Sequence, residues 1–221
     1  MSCSKWRWTE ECDTQPCPGD CDFCGFHPEE EFSPKEEAEH LILAIDPGNN
    51  FSGWVLMDAD TYRPVRFGKG ENGLLLGMIL FMGKEQPPEE DGLVFDLLPA
   101  VDHVVIEMVA SYGMPVGREV FETCVAIGKF ELAANLAGAS TAFVYRREEK
   151  LSICHSPRAN DATIRQALVD RFADGASNHG KGTKKEPGFF YGFKADIWQA
   201  FAVGVAYLDK IQEAKDAQND R

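Results

Sequence analysis

The sequence has no long apolar run. Its longest, GLLLGMILFMG at residues 73–83, stops far short of the ~20 residues that cross a bilayer. The opening MSCSKWRWTEE lacks the apolar stretch of a secretory leader. No membrane partner is expected, and the chain reads as a soluble protein that works inside the cell. Cysteine is nearly missing from the body of the chain: five of the seven fall in the first 24 residues, leaving Cys124 and Cys154. That distribution argues against a disulfide framework, which would staple the whole chain. Positive charge is scarce as well, with 22 Lys and Arg against 36 Asp and Glu. A cationic surface all round is therefore excluded. A local one is not, because the deficit is uneven. Residues 1–40 hold eleven acids and three bases, whereas residues 145–195 hold ten bases and six acids.

The 221 residues suit one domain with an appendage. Residues 1–38 are polar, acidic and Cys-bearing, and form the expected appendage; residues 39–221 form the main domain. In CDTQPCPGDCDFC, the thiols of Cys12, Cys17, Cys21 and Cys24 are a candidate Zn²⁺ site, since four thiolates can close a tetrahedron and fold a segment that has no core. The spacings between the first three are irregular for a zinc finger. An acidic tail with free thiols is the other reading.

Within the main domain, LILAID (41–46) is a continuous apolar run closed by Pro-Gly and predicts a buried strand. SGWVLMD (52–58) and PVRFGKG (64–70) predict two returning strands. A helix is expected over 71–83, a strand over 101–109, and a helix over 117–138 with Val120, Phe121, Cys124, Ile127, Leu132 and Leu136 inward. TAFVYR (141–146) is a further strand. Helices follow at 160–172, where Asn160 is a candidate N-cap, and at 194–218. Three antiparallel strands followed by alternating strands and helices indicate an α/β fold: a mixed sheet with helices on its faces.

Three acids stand out. Asp46 closes the first strand, Glu107 sits inside HVVIEMV, and Asp196 opens the last helix. Taken singly, Asp46 can cap a turn and Asp196 can favour a helix dipole. A glutamate within an apolar strand is costly without a partner. If the two strands are neighbours, their acids reach one edge, and the last helix can bring in the third. Converging carboxylates repel unless a cation neutralises them. An oxygen-only set suits Mg²⁺ or Mn²⁺.

ILAIDPGNNFSGWVLMD, HVVIEMV and KADIWQAFAVGVAY, in that order over roughly residues 41–208, resemble RuvC-type Holliday-junction resolvases of the RNase H-like superfamily. The middle segments look closer to phage-encoded relatives than to the housekeeping bacterial enzyme. The resemblance implies an RNase H-like sheet and assigns Asp46, Glu107 and Asp196 as metal ligands. It also implies two-metal hydrolysis of branched DNA leaving 5′-phosphates, and the approximate two-fold symmetry of a four-way junction adds the expectation of a homodimer. One position departs from the family pattern: where its last helix carries a second acid at i+3, this chain has Gln199. Asp161 is a candidate substitute. Arg146, Arg147, Lys150, Arg158, Lys184 and Lys185 are candidate phosphate contacts. Phe189, Phe190, Tyr191 and Phe193 are candidates for stacking on unpaired bases. Two other readings are kept: a DNA-binding or phage protein of this fold with weak or no catalysis, and an actin-like ATPase, against which no second phosphate loop is found.

Overall fold

The computed structural model describes residues 40–84, 97–111, 113 and 115–219. The proposed zinc cysteines lie outside these residues. A five-stranded sheet runs through the domain in the order β3-β2-β1-β4-β5. Its strands are β1 (Leu41–Asp46), β2 (Phe51–Asp58), β3 (Pro64–Glu71), β4 (His103–Met108) and β5 (Ser140–Tyr145). β1, β2 and β3 pair antiparallel, while β4 lies parallel to both β1 and β5. The expected mixed sheet is therefore present.

Strand alternation divides the core in two. On one face, Leu43, Ile45, Leu56, Val104 and Ile106 pack with helices α1 (Asn72–Leu80) and α2 (Arg118–Leu136). On the other, Ile42, Val55, Met57, Val105 and Val144 pack with α4 (Asp161–Phe172) and α5 (Ala195–Asn219). Buried on both faces, β1 reads as a continuous apolar run, the pattern expected of a central strand with parallel pairing. α5 crosses β1 and β2 at close range, and two glycines make that possible. A Cβ on Gly53 would lie 2.6 Å from the Asp196 carbonyl oxygen, and one on Gly204 would lie 2.4 Å from Met57 Sδ.

Three expectations are corrected. α2 turns a different face inward: Thr123, Ala126, Ile127, Phe130, Ala133 and Ala134 are buried, whereas Phe121, Cys124, Leu132 and Leu136 are exposed. Small side chains let the helix lie close to the sheet, and the large ones are left outward. A helix not expected from the sequence, α3 (Arg146–Cys154), follows β5 directly. Its start is fixed where Glu148 accepts a hydrogen bond from the Tyr145 N–H at 2.9 Å. Phe190 and Phe193 belong to the core, in an aromatic cluster with Trp198 and Phe201, so neither is available to stack on a base. Tyr191 remains exposed.

Candidate active site

The alternation that builds the core also aims the acids. Ile42 and Val105 face α5, so Asp46 and Glu107, each an even number of residues further on, face it as well. The register pairs Ala44 with Val105, which brings Asp46 level with Glu107 at the C-terminal edge of the two parallel strands. Asp46 pairs with Gly53 across the β1–β2 hairpin, and Gly53 is where the first turn of α5 rests on the sheet. The missing side chain is what admits Asp196. The turn after Asp46 is pinned from below: the buried Ser52 hydroxyl donates to Asn72 Oδ1 at 2.7 Å, and Asn72 Nδ2 donates to the Gly48 carbonyl at 2.9 Å.

Asp46, Glu107 and Asp196 line one cavity of about 660 Å³, with Arg146, Asp161, Arg165 and Gln199 also on its wall. The three sequence-derived acids therefore do come together. Asp46 is pushed up to about 7, first by burial and then by the charges of Glu107 and Asp196. Glu107 is also pushed up to about 7, by burial and then by Glu149. Asp46 and Glu107 titrate as a coupled pair, so without a cation the pair holds a proton near neutral pH.

Two of the chain's own cations occupy the cluster. Lys69 from β3 is ion-paired to Asp196. Arg146, expected as a surface phosphate contact, lies instead among the acids. Its Nη1 is 3.0 Å from both Glu149 oxygens and 3.9 Å from Glu107 Oε1, and its Nη2 bonds Asp161. The physical reason is its position as the first residue of α3, which follows β5 without a loop and so stays at the sheet edge. Arg147, Arg158, Lys184 and Lys185 are exposed and Lys150 is half-buried. Lys184 and Lys185 sit at the tip of a turn closed by a bridge between Gly182 and Pro187.

Sequence reasoning missed Glu149 and Lys69. Glu149 is fully buried, one turn into α3, and is itself pushed up to about 7 by burial against the opposing pull of Arg146. The signal available was the RREEK run, which reads as solvated charge unless a helix is recognised there. Asp161 is exposed at the rim, tied to the cluster through Arg146.

Among the described residues, no three His, Cys, Asp or Glu side chains meet at metal-ligating distance of a single point. The donor chemistry nevertheless fits a divalent cation held by oxygen: buried carboxylates whose charge is balanced here by protons, Arg146 and Lys69.

No family model matches the chain, and no curated protein does. Solved structures do. The structure of RuvC from Thermus thermophilus aligns with a TM-score of 0.54 and 14% identity, covering 79% of this chain and 96% of that one. The same protein in complex with a Holliday junction substrate gives a TM-score of 0.54 at 12% identity, with the same coverage. The main domain therefore has the RNase H-like fold found in RuvC.

Proposed function

We propose that the protein is a divalent-metal-dependent endonuclease that cleaves phosphodiester bonds in branched DNA, of the crossover-junction type. The observation carrying this reading is the arrival of Asp46, Glu107 and Asp196 from β1, β4 and α5 at one open cavity. A buried excess of carboxylate is costly to fold and is retained where it does chemistry.

Asp46, Glu107 and Asp196 would hold Mg²⁺ or Mn²⁺. The ions would supply an activated water and offset the charge that develops on the scissile phosphate. The chain's own groups do the rest. The sheet edge and the seat on Gly53 fix the carboxylates. Lys69, which pairs with Asp196 beside the cavity, would be placed to contact a phosphate of the bound strand once a cation held Asp196. Arg165, exposed over the Trp198 ring at 5.5 Å, lines the entrance. Arg147, Lys150, Arg158, Lys184 and Lys185 contribute phosphate contacts, which make affinity strongly salt-dependent. No helix among the described residues is long and apolar enough to cross a membrane. A chain of this activity works where the DNA is, in the cytoplasm.

A four-way junction has approximate two-fold symmetry, so the reading includes a homodimer. The exposed row Phe121, Val125, Leu132 and Leu136 along one side of α2 supports it, since large apolar side chains aligned on a helix are ordinarily covered. Leu132→Glu should convert dimer to monomer in sedimentation equilibrium and turn paired cuts into single nicks. A monomeric wild type would remove the dimer from the proposal.

The experiment for the activity incubates the protein with a labelled four-way junction and, separately, a linear duplex of the same sequence, with and without Mn²⁺ or Mg²⁺. Metal-dependent cuts in the junction, lost in Asp46→Asn, are expected. Binding without cutting under every metal would leave a DNA-binding protein of this fold.

A further inference from the structure

The Gln199 side chain sits between two acids. Its Nε2 donates to Glu107 Oε2 at 3.2 Å and to Glu149 Oε2 at 2.6 Å. A primary amide has two N–H donors on one nitrogen and no charge. That is what a position between two facing carboxylates needs. A carboxylate there would add a third negative charge, and an ammonium would occupy the cation site outright. Glu149 is held from its other side by Arg146, which reaches both of its oxygens. The contacts form one line, Arg146–Glu149–Gln199–Glu107, ending on the carboxyl that lies level with Asp46 in the same cavity. Glu149 does not line the cavity, so it acts only through its neighbours.

We infer that Glu149 is a positioning residue of the candidate active site, acting through the Gln199 amide to aim Glu107, and that position 199 is neutral because the acid of this pair stands on α3. The inference rests on the endonuclease reading and adds to it a residue pair in which donor and acceptor could be exchanged. Side chains that orient a ligand are worth about 10- to 100-fold in metal affinity.

The test is a double-mutant cycle on Glu149→Gln and Gln199→Glu, with two readouts: Mn²⁺ affinity by titration calorimetry and thermal stability in chelator. Glu149→Gln should weaken Mn²⁺ binding about tenfold, because one uncharged oxygen is left to accept from both Arg146 and Gln199 and the new NH₂ group faces donors. Gln199→Glu should lower the metal-free melting temperature, because two donors are lost and three carboxylates face one another. The exchanged double variant rebuilds the bond in the opposite direction, from an amide at 149 to a carboxylate at 199. Its melting temperature should recover above that of Gln199→Glu, and its Mn²⁺ affinity should return to within about threefold of wild type, the signature of coupled neighbours. A merely structural Glu149 would leave Mn²⁺ affinity unmoved. Additive effects in the double variant, or an unchanged Mn²⁺ affinity in Glu149→Gln, would overturn the inference. If the wild type binds no Mn²⁺ at all, the endonuclease reading fails. The metal-free melting temperatures then decide the pairing of Glu149 with Gln199, and the positioning role falls with that reading.

Discussion

The two ends of α5 hold acids in opposite ways. Near its C-terminal half, Asp209 takes a two-pronged bond from Arg171, at 2.7 and 2.8 Å, with the Tyr62 hydroxyl at 3.0 Å and the Ser152 hydroxyl at 3.3 Å. One carboxylate meets one guanidinium, and hydroxyls fill the remaining lone pairs. The Arg171 guanidinium also lies 4.9 Å from the Tyr62 ring centroid. At the N-terminal end, Asp46, Glu107, Glu149, Asp161 and Asp196 share Arg146 and Lys69. The first arrangement is balanced and ties α5 to β2–β3, α3 and α4. The second has negative charge to spare, and burial pushes three of its carboxyls up to about 7. Charge matching marks an acid that holds the fold together. Unmatched buried charge marks one reserved for a ligand.

The strongest way to break this comparison is to neutralise one acid at each end. Asp46→Asn should cut metal-dependent cleavage on the order of 10³-fold, the several kcal/mol that an anchored cation supplies to the transition state. In chelator the same variant should melt higher than wild type, because a repelling charge has gone. Asp209→Asn should do the reverse. Cleavage by the folded protein should persist, while stability falls by about 1 to 2 kcal/mol, a figure discounted for the partial exposure of Arg171. Denaturant melts and junction assays on both variants check this. Two destabilising substitutions, or two that spare cleavage, would erase the distinction.

The next effect is on pH. Asp46, Glu107 and Glu149 are raised from ordinary values of 3.8, 4.5 and 4.5 to about 7. Between pH 4 and 7 the folded chain thus binds more protons than the unfolded one. Stability falls as pH rises through that window, on the order of 1 kcal/mol per pH unit for each excess proton. The fall should be complete somewhat above pH 7. Mg²⁺ replaces the protons, so it should stabilise the protein far more at pH 8 than at pH 5. Asp46→Asn should flatten the profile, and Asp209→Asn should leave its slope alone. Melts across pH, with and without Mg²⁺, give the answer.

Much of this was legible before any coordinates. Glu107 stands out because an acid inside HVVIEMV has no cheap explanation, Asp46 because it closes an equally apolar strand, and strand alternation then dictates the face each side chain takes. The mixed sheet follows from the same apolar runs, but that β1 and β4 are neighbours is known only from the fold. What escaped is what depends on contacts across the fold. RREEKLSIC looks like a solvated run, and nothing local tells that Glu149 turns inward while Glu148 caps the helix. Arg146 reads as one of several basic residues until its place at the sheet edge is known. In α2 the apolar residues are abundant enough to draw two stripes, and only packing against the sheet decides that Ala126, Ala133 and Ala134 face in. Lys69, in a half-exposed edge strand, carried no signal at all.

The smallest expected effect sharpens the comparison along α5 itself. The helix comes close to the sheet at Gly53 and at Gly204, but only the first approach carries an acid of the cluster. An added Cβ at 53 would meet the backbone of Asp196, at 2.6 Å from its oxygen and 2.9 Å from its Cβ, and backbone cannot step aside cheaply. The first turn of α5 would have to lift, taking Asp196 away from Asp46. An added Cβ at 204 would meet chiefly Met57 Sδ, part of a flexible side chain, with Ala44 Cβ at 3.1 Å. Both Gly53→Ala and Gly204→Ala should cost about 1 to 3 kcal/mol of stability as overpacked sites. Only Gly53→Ala should also slow cleavage, by about 10-fold, as expected for a catalytic group displaced by a fraction of an ångström. Measured per folded molecule, equal cleavage by the two variants would mean that the seat of α5 on Gly53 serves packing alone.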